Sequence, residues 1–194
     1  KFPPALLKPL RDLGHFMVSD ERMVPLESPE SNFGNAQRLL LDPLKFTHRY
    51  PWPVGISPTE AAEEFSESFQ ASYPGRPVGF DLCCLGLGED GHTASWFPNC
   101  PWLDQPAQPP AFNATYWPQR GWRLSLTPYG LLQSGQIILL ASGAGKAATV
   151  KAVLEGVYQP TQLPAQALRA AAERVSWLID PPAAAQLSGL LPLE

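Results

Sequence analysis

The sequence predicts an α/β fold built on a largely parallel sheet with helices on both faces, and three observations carry the prediction. Several short apolar runs lack polar alternation, the pattern of strands covered on both sides. Between them lie segments opened by helix caps, so strands and helices are interspersed along the chain. The residues just after three of the apolar runs are rich in glycine and charge, as expected at the carboxyl ends of parallel strands, where ligands bind in open α/β sheets. At 194 residues the chain fits a single domain spanning 1–194.

The elements follow in order. Strands are expected at His15 to Ser19, Phe80 to Leu85, Trp122 to Thr127, Gln136 to Ala141 and Val175 to Ile179. The clearest helix start is Ser57-Pro58-Thr59-Glu60, a capping box with proline in the first helical position, followed by an apolar stripe of Ala61, Phe65 and Phe69. Thr127-Pro128 and Asp180-Pro181 repeat the cap-then-proline signal before short helices, and Ala147 to Leu154 continues as a helix from a glycine-rich turn. Pro98 to Pro118 reads as a long loop. The 23 prolines are spread between apolar segments, which favours a loop-rich globule over disorder.

Composition narrows the function classes. A formal charge of -4 without any Lys/Arg stripe gives no nucleic-acid surface. The longest apolar runs, such as Ile137 to Ala141, fall far short of the roughly 20 residues of a membrane span. Cys83, Cys84 and Cys100 form no CxxC pair, so no metal site is expected and a reducing, cytoplasmic compartment is. No signal peptide is visible.

Three strand exits stand out. Gly86, Gly88 and Gly91 match G-x-G-x-x-G, but Pro98, Pro101, Pro106, Pro109 and Pro110 interrupt the chain where a dinucleotide-binding unit needs its helix and second strand. The better reading is a sharp turn that brings Asp90 and His92 to the mouth of the sheet, with Gly88 counted among the substrate-binding positions. His15 and His48 read as ordinary histidines. Ser142 to Lys146 reads equally as an anion cradle with Lys146 as its cation or as a helix-opening turn with a solvated lysine; with Leu140 in place of the first glycine and Ala147 in place of Ser/Thr it is not a Walker loop. Asp20, Glu21 and Arg22 suit hydroxyl and phosphate binding or a plain surface charge run. Arg123 and Thr127, four apart on one strand face, suit a cleft or an exposed surface.

Taken together, Ser19-Asp20-Glu21-Arg22-Met23-Val24-Pro25 with Ser31-Asn32, and Phe80-Asp81-Leu82 leading into Gly86-Leu87-Gly88-Glu89-Asp90-Gly91-His92-Thr93-Ala94-Ser95-Trp96-Phe97-Pro98, closely resemble the 6-phosphogluconolactonase family. Arg123 to Thr127, Gly143 to Lys146, Leu163-Pro164-Ala165 and Asp180 to Ala184 resemble its later landmarks in order. The related glucosamine-6-phosphate deaminases share the DGH core but follow it with AFNEP, where Ala94-Ser95-Trp96-Phe97-Pro98 stands here. Trp96 occupies a position where an aliphatic residue is expected.

The resemblance implies a Rossmann-like fold of the NagB/RpiA/CoA-transferase type. It implies hydrolysis of 6-phosphoglucono-1,5-lactone to 6-phosphogluconate in the oxidative pentose phosphate pathway, without cofactor or metal. It assigns His92 as general base and acid, Asp90 as its holder, Asp20 to sugar hydroxyls, and Arg22, Arg123 and Lys146 to the phosphate. The substrate is a small sugar phosphate lactone; the oligomeric state is not legible. It also implies an N-terminal region with an SGGxTP-like phosphate loop upstream of Asp20, so the expectation is a domain without that part. A deaminase-type enzyme and a non-catalytic sugar-phosphate binder are the alternatives.

Overall fold

A computed structural model of the protein describes residues 4–75 and 79–189. In chain order it contains α1 (Pro4–Leu13), β1 (His15–Phe16), β2 (Asp20–Arg22), α2 (Asn32–Ala36), a wide π turn (Gln37–Leu41) running into α3 (Asp42–Leu44), β3 (His48–Arg49) and α4 (Pro58–Ser72). There follow β4 (Leu82–Gly86), β5 (Phe112–Trp117), β6 (Gly121–Leu126), α5 (Pro128–Leu131), β7 (Gln136–Ala141), α6 (Ala147–Glu155), a 3-10 segment (Pro164–Arg174), β8 (Val175–Ile179) and α7 (Pro181–Ala184). These elements form two compact units: Lys1–Pro74 with Phe112–Ser125, and Gly75–Ala111 with Leu126–Glu194. No helix among the described residues is long and apolar enough to cross a membrane.

The first unit is organised by α4. Ser57 caps it and Glu60 returns the bond to the Ser57 amide, the expected capping box. The helical repeat then buries Ala61, Ala62, Phe65 and Phe69. Phe65 stacks on Trp52 with ring centroids 4.1 Å apart, and Phe112 meets Phe65 edge-on at 5.1 Å. Trp52 can be fully buried because its indole N–H donates to the Val18 carbonyl at 3.1 Å.

This unit also departs from expectation. The strand read from His15 to Ser19 is short: β1 pairs in parallel with β3, setting His15 beside His48. Asp20-Glu21-Arg22 does not follow a strand but is one, antiparallel to β6, in a sheet ordered β2-β6-β5. β5 lies inside the segment read as a loop, because its alternation is hidden in a proline-rich stretch and Phe112 is its fully buried residue.

The second unit holds the parallel sheet the sequence predicts, ordered β4-β7-β8 with β7 in the centre. β7 and β8 occupy the expected residues, while β4 starts two residues later than read. Cys83, Leu85, Ile137, Leu139 and Ala141 share one buried face, whereas Leu82, Leu140 and Leu178 on the other are about half exposed. The unbroken apolarity of these runs predicts burial on both sides; among the described residues, one face carries it. α6 follows the glycine turn as expected and buries Ala147, Thr149, Val150 and Val153.

Candidate active site

The loop after β4 carries Asp90 and His92. Its shape comes from main-chain bonds that close it on itself: the Gly88 N–H donates to the His92 carbonyl at 2.8 Å and the Gly91 N–H to the Gly88 carbonyl at 3.1 Å. Gly91 has φ +78, a conformation that favours glycine, and a Cβ there would also crowd Leu163 Cδ2 at 2.8 Å. Three further bonds hold the loop in its unit. The Thr93 hydroxyl donates to the Gly86 carbonyl at 2.9 Å, the Thr149 hydroxyl to the Glu89 carbonyl at 2.6 Å, and the Ala165 N–H to the Gly91 carbonyl at 2.8 Å.

Within this frame Asp90 Oδ1 accepts the His92 main-chain N–H at 3.2 Å and lies 2.5 Å from His92 Nδ1. An ionised carboxylate only accepts, so the proton of the neutral ring belongs on Nδ1 and Nε2 is left with a lone pair. The His92 side chain is 26% exposed and Asp90 32%, so the pair is screened from bulk water but not sealed off. The imidazole also leans on Phe97, with centroids 4.6 Å apart.

Of the three cysteines in this unit, Cys84 is exposed. Cys83 and Cys100 are buried, and burial pushes the Cys100 thiol up to about 11, leaving little thiolate at neutral pH.

The glycine turn at Ser142 to Lys146 is partly committed to structure. The Gly143 N–H donates to both carboxylate oxygens of Asp180 at 3.0 Å, and the same Asp180 caps α7 through the Ala183 N–H. One of the amides expected to cradle an anion therefore already holds a carboxylate of the protein. A Cβ on Gly145 would come within 3.3 Å of Glu89 Oε1, so a second carboxylate borders the turn. Lys146, half-buried, closes the turn through its N–H to the Gly143 carbonyl at 3.0 Å.

In the first unit, β2 and β6 bring Asp20, Arg22 and Arg123 together. Arg22 and Arg123 are direct cross-strand partners, and Asp20 pairs with Ser125. Arg22 Nη1 donates to the Glu30 carbonyl at 2.6 Å and to Asn32 Oδ1 at 2.9 Å, while Asn32 Nδ2 donates to the Asp20 carbonyl at 2.8 Å. Arg123 Nη1 donates to the Trp122 carbonyl at 3.0 Å and to the Arg120 carbonyl. Burial, then the neighbouring Arg22 charge, hold Arg123 below the ordinary guanidinium range. Like charges directly opposite on a sheet are destabilising, and this pair is kept in place by carbonyl acceptors on either side.

Glu21 is the residue that the charged cluster hid. It is fully buried, and its carboxylate accepts from the Arg22, Asn32 and Phe33 main-chain N–H groups and the Ser31 hydroxyl, at 2.7 to 2.9 Å. It satisfies the orphan donors of α2 and so holds Asn32, the partner of Arg22. Thr127, read as a possible companion of Arg123, is buried and spends its hydroxyl as the cap of α5 and on the Pro110 carbonyl at 2.7 Å. Trp96 fills its place completely and donates its indole N–H to the Leu126 carbonyl at 2.6 Å, a bond no aliphatic residue makes.

The family described as glucosamine-6-phosphate isomerases/6-phosphogluconolactonase matches residues 11–177. The chain is 33% identical over 185 residues to the 6-phosphogluconolactonase of Bos taurus, covering 87% of this chain and 66% of the bovine one. It thus spans just under two thirds of that relative's length. The Mycobacterium tuberculosis 6-phosphogluconolactonase is 32% identical over 193 residues, covering 89% of this chain and 73% of its own. Among solved structures, the Trypanosoma brucei 6-phosphogluconolactonase superimposes with a TM-score of 0.75 at 28% identity, over 94% of this chain and 78% of that one. A monomeric glucosamine-6-phosphate deaminase shares the fold, with a TM-score of 0.67 at 19% identity over 87% of this chain and 72% of that one. The chain belongs to the glucosamine-6-phosphate isomerase/6-phosphogluconolactonase family.

Proposed function

We propose that the protein hydrolyses 6-phospho-D-glucono-1,5-lactone to 6-phospho-D-gluconate, in the cytoplasm and as a step of the oxidative pentose phosphate pathway, with His92 as general base. The observation that carries the reading is the contact of Asp90 Oδ1 with His92 Nδ1 at 2.5 Å, which fixes the tautomer and leaves Nε2 to take a proton. Nε2 removes a proton from water as the water oxygen attacks C1; the same nitrogen returns it to the ring oxygen as the tetrahedral intermediate collapses and the C1–O bond breaks. Asp90 steadies the imidazolium formed between the two transfers.

For the substrate's other groups the candidates are Asp20 for hydroxyls and Arg22, Arg123 and Lys146 for the phosphate. The cross-strand arginine pair supports this assignment, because a bound dianion would relieve its repulsion through charge-assisted bonds. Both polar main-chain groups of Gly88 are committed inside the loop, so its part in the site is the close approach that its missing side chain permits. The deaminase alternative is disfavoured by Ala94-Ser95-Trp96-Phe97-Pro98 in place of the acid-bearing segment.

The test is lactone hydrolysis followed against the spontaneous rate for wild type and His92→Ala. Loss of a general base is expected to cost on the order of 10²–10⁴ in kcat, with the thermal midpoint nearly unchanged because the ring is part-exposed. A variant with near wild-type turnover overturns the mechanism. Ammonia release from glucosamine 6-phosphate, or ligand-induced stabilisation with no turnover of either compound, overturns the activity.

A further inference from the structure

We infer that Gly88 and Phe97 act as positioning residues: together they form a slot that confines the His92 imidazole beside Asp90, and Gly88 is required for the absence of a Cβ. The inference rests on the reading of His92 as general base and goes beyond it by assigning the two groups that fix the ring's orientation.

Two contacts define the slot. A Cβ built on Gly88 would lie 2.6 Å from Asp90 Oδ1, and closer still to Nδ1 and Cε1 of His92. Its three nearest neighbours among the described residues, adjacent residues aside, all belong to the dyad. Phe97, buried at 5% exposure, also packs on the imidazole, with ring centroids 4.6 Å apart and the planes tilted by 44°.

Conformation does not explain the glycine. Gly88 is not among the residues with positive φ, so its backbone is one that alanine can adopt. Hydrogen bonding does not explain it either, since its N–H and carbonyl serve the loop and would serve it equally in alanine. What remains is volume: the ring occupies the space a side chain at position 88 would need. Without such a slot a histidine held by one hydrogen bond can swing about its side-chain torsions, and a misplacement of about 1 Å can cost on the order of 10²-fold in rate.

The experiment uses the His92 ring as its own reporter. The chain has three histidines, so the downfield Nδ1–H proton resonance of the Asp90-bound ring can be assigned by its loss in His92→Gln. In Gly88→Ala that resonance is expected to disappear, while kcat for the lactone falls roughly 10²-fold and KM changes less than twofold. In a His92→Gln background, Gly88→Ala is expected to cost nothing further in kcat. Phe97→Leu, which keeps an apolar side chain, is expected to shift the resonance and lower kcat by about tenfold; it decides the matter if Gly88→Ala does not fold.

Retention of the resonance and of kcat in Gly88→Ala overturns the slot. So does a rise in KM with kcat unchanged, which would make Gly88 a substrate contact, or an equal further loss in the His92→Gln background, which would make it structural. If the wild-type protein turns over no lactone, the activity is wrong, and the resonance still decides the slot.

Discussion

Replacing Glu21 by glutamine changes one oxygen to an NH₂ group at the most heavily committed carboxylate of the first unit. Oε1 accepts from the Arg22 and Asn32 main-chain N–H groups, and Oε2 from the Phe33 N–H and the Ser31 hydroxyl. If the amide nitrogen takes the Oε1 position, two main-chain donors face it. If it takes the Oε2 position, only the Phe33 N–H does, because the Ser31 hydroxyl can turn and accept; this is the orientation the variant should choose.

One buried main-chain N–H is then left without an acceptor, at about 1–3 kcal/mol. The bonds that survive lose their charge assistance, a further 1–2 kcal/mol or so, partly offset because a neutral amide is cheaper to bury than a carboxylate. The net expectation is a loss of about 2–4 kcal/mol, read as a lower urea midpoint at unchanged m-value. Ser31→Ala, which removes one donor to Glu21 and the cap on the Gly34 N–H at 2.9 Å, should cost about 1 kcal/mol. A Glu21→Gln protein within about 0.5 kcal/mol of wild type, the range of ordinary surface substitutions, would refute the burial argument.

Two further outcomes follow from named contacts. Arg22→Gln or Arg123→Gln should raise KM for the phosphorylated lactone much more than for the same lactone without phosphate; equal losses on both would mean that the guanidinium supports the sheet instead. Glu60 has its carboxyl held below the ordinary range, first by its hydrogen bond with the Ser57 side chain and then by the Ser57 backbone. A depressed folded value means the ionised form is favoured by folding, so this stabilisation is full above the unfolded value and is lost as pH falls through the folded one. The stability gap between wild type and Glu60→Gln should therefore be widest near neutral pH and shrink below about pH 4; a gap that does not move with pH would contradict it.

How much of this was legible in the sequence depends on whether the deciding contact is local. The helix of Ser57 to Phe69 could be read because its cap, proline and apolar stripe lie within thirteen residues. β7 and β8 were legible for the same reason, β7 from its Ile137 to Ala141 run and β8 from Val175, Trp177, Leu178 and Ile179. The Asp90–His92 contact was legible, since two residues apart in a tight turn is enough to join a carboxylate to a ring nitrogen. β5 was not: prolines at 106, 109 and 110 signal a loop, and only the tertiary burial of Phe112 makes the next residues a strand. Glu21 was hidden by its neighbours, because three consecutive charges suggest a solvated surface and nothing local says that the middle one turns inward to meet α2. Period two does contain that information, but only once Asp20 to Arg22 is known to be a strand.

The same distinction separates the two parts of the proposed chemistry. The Asp90–His92 contact of the proposed base is specified within the second unit, by a loop in which Gly91 takes a left-handed turn and Gly88 leaves room for the ring, with Phe97 against the imidazole. The arginine pair is specified by register. A one-residue slip of β2 against β6 would send Arg22 and Arg123 to opposite faces, and what prevents the slip is Glu21, buried on the alternate face and tied by three donors, the Ser31 hydroxyl and the Asn32 and Phe33 N–H groups, to the start of α2. Removing the Glu21 carboxylate should thus affect Arg22 through its anchor Asn32, raising KM for the phosphorylated lactone, while the Asp90–His92 resonance stays in place. A variant that lost that resonance along with the KM effect would show that the loop's geometry is not local after all.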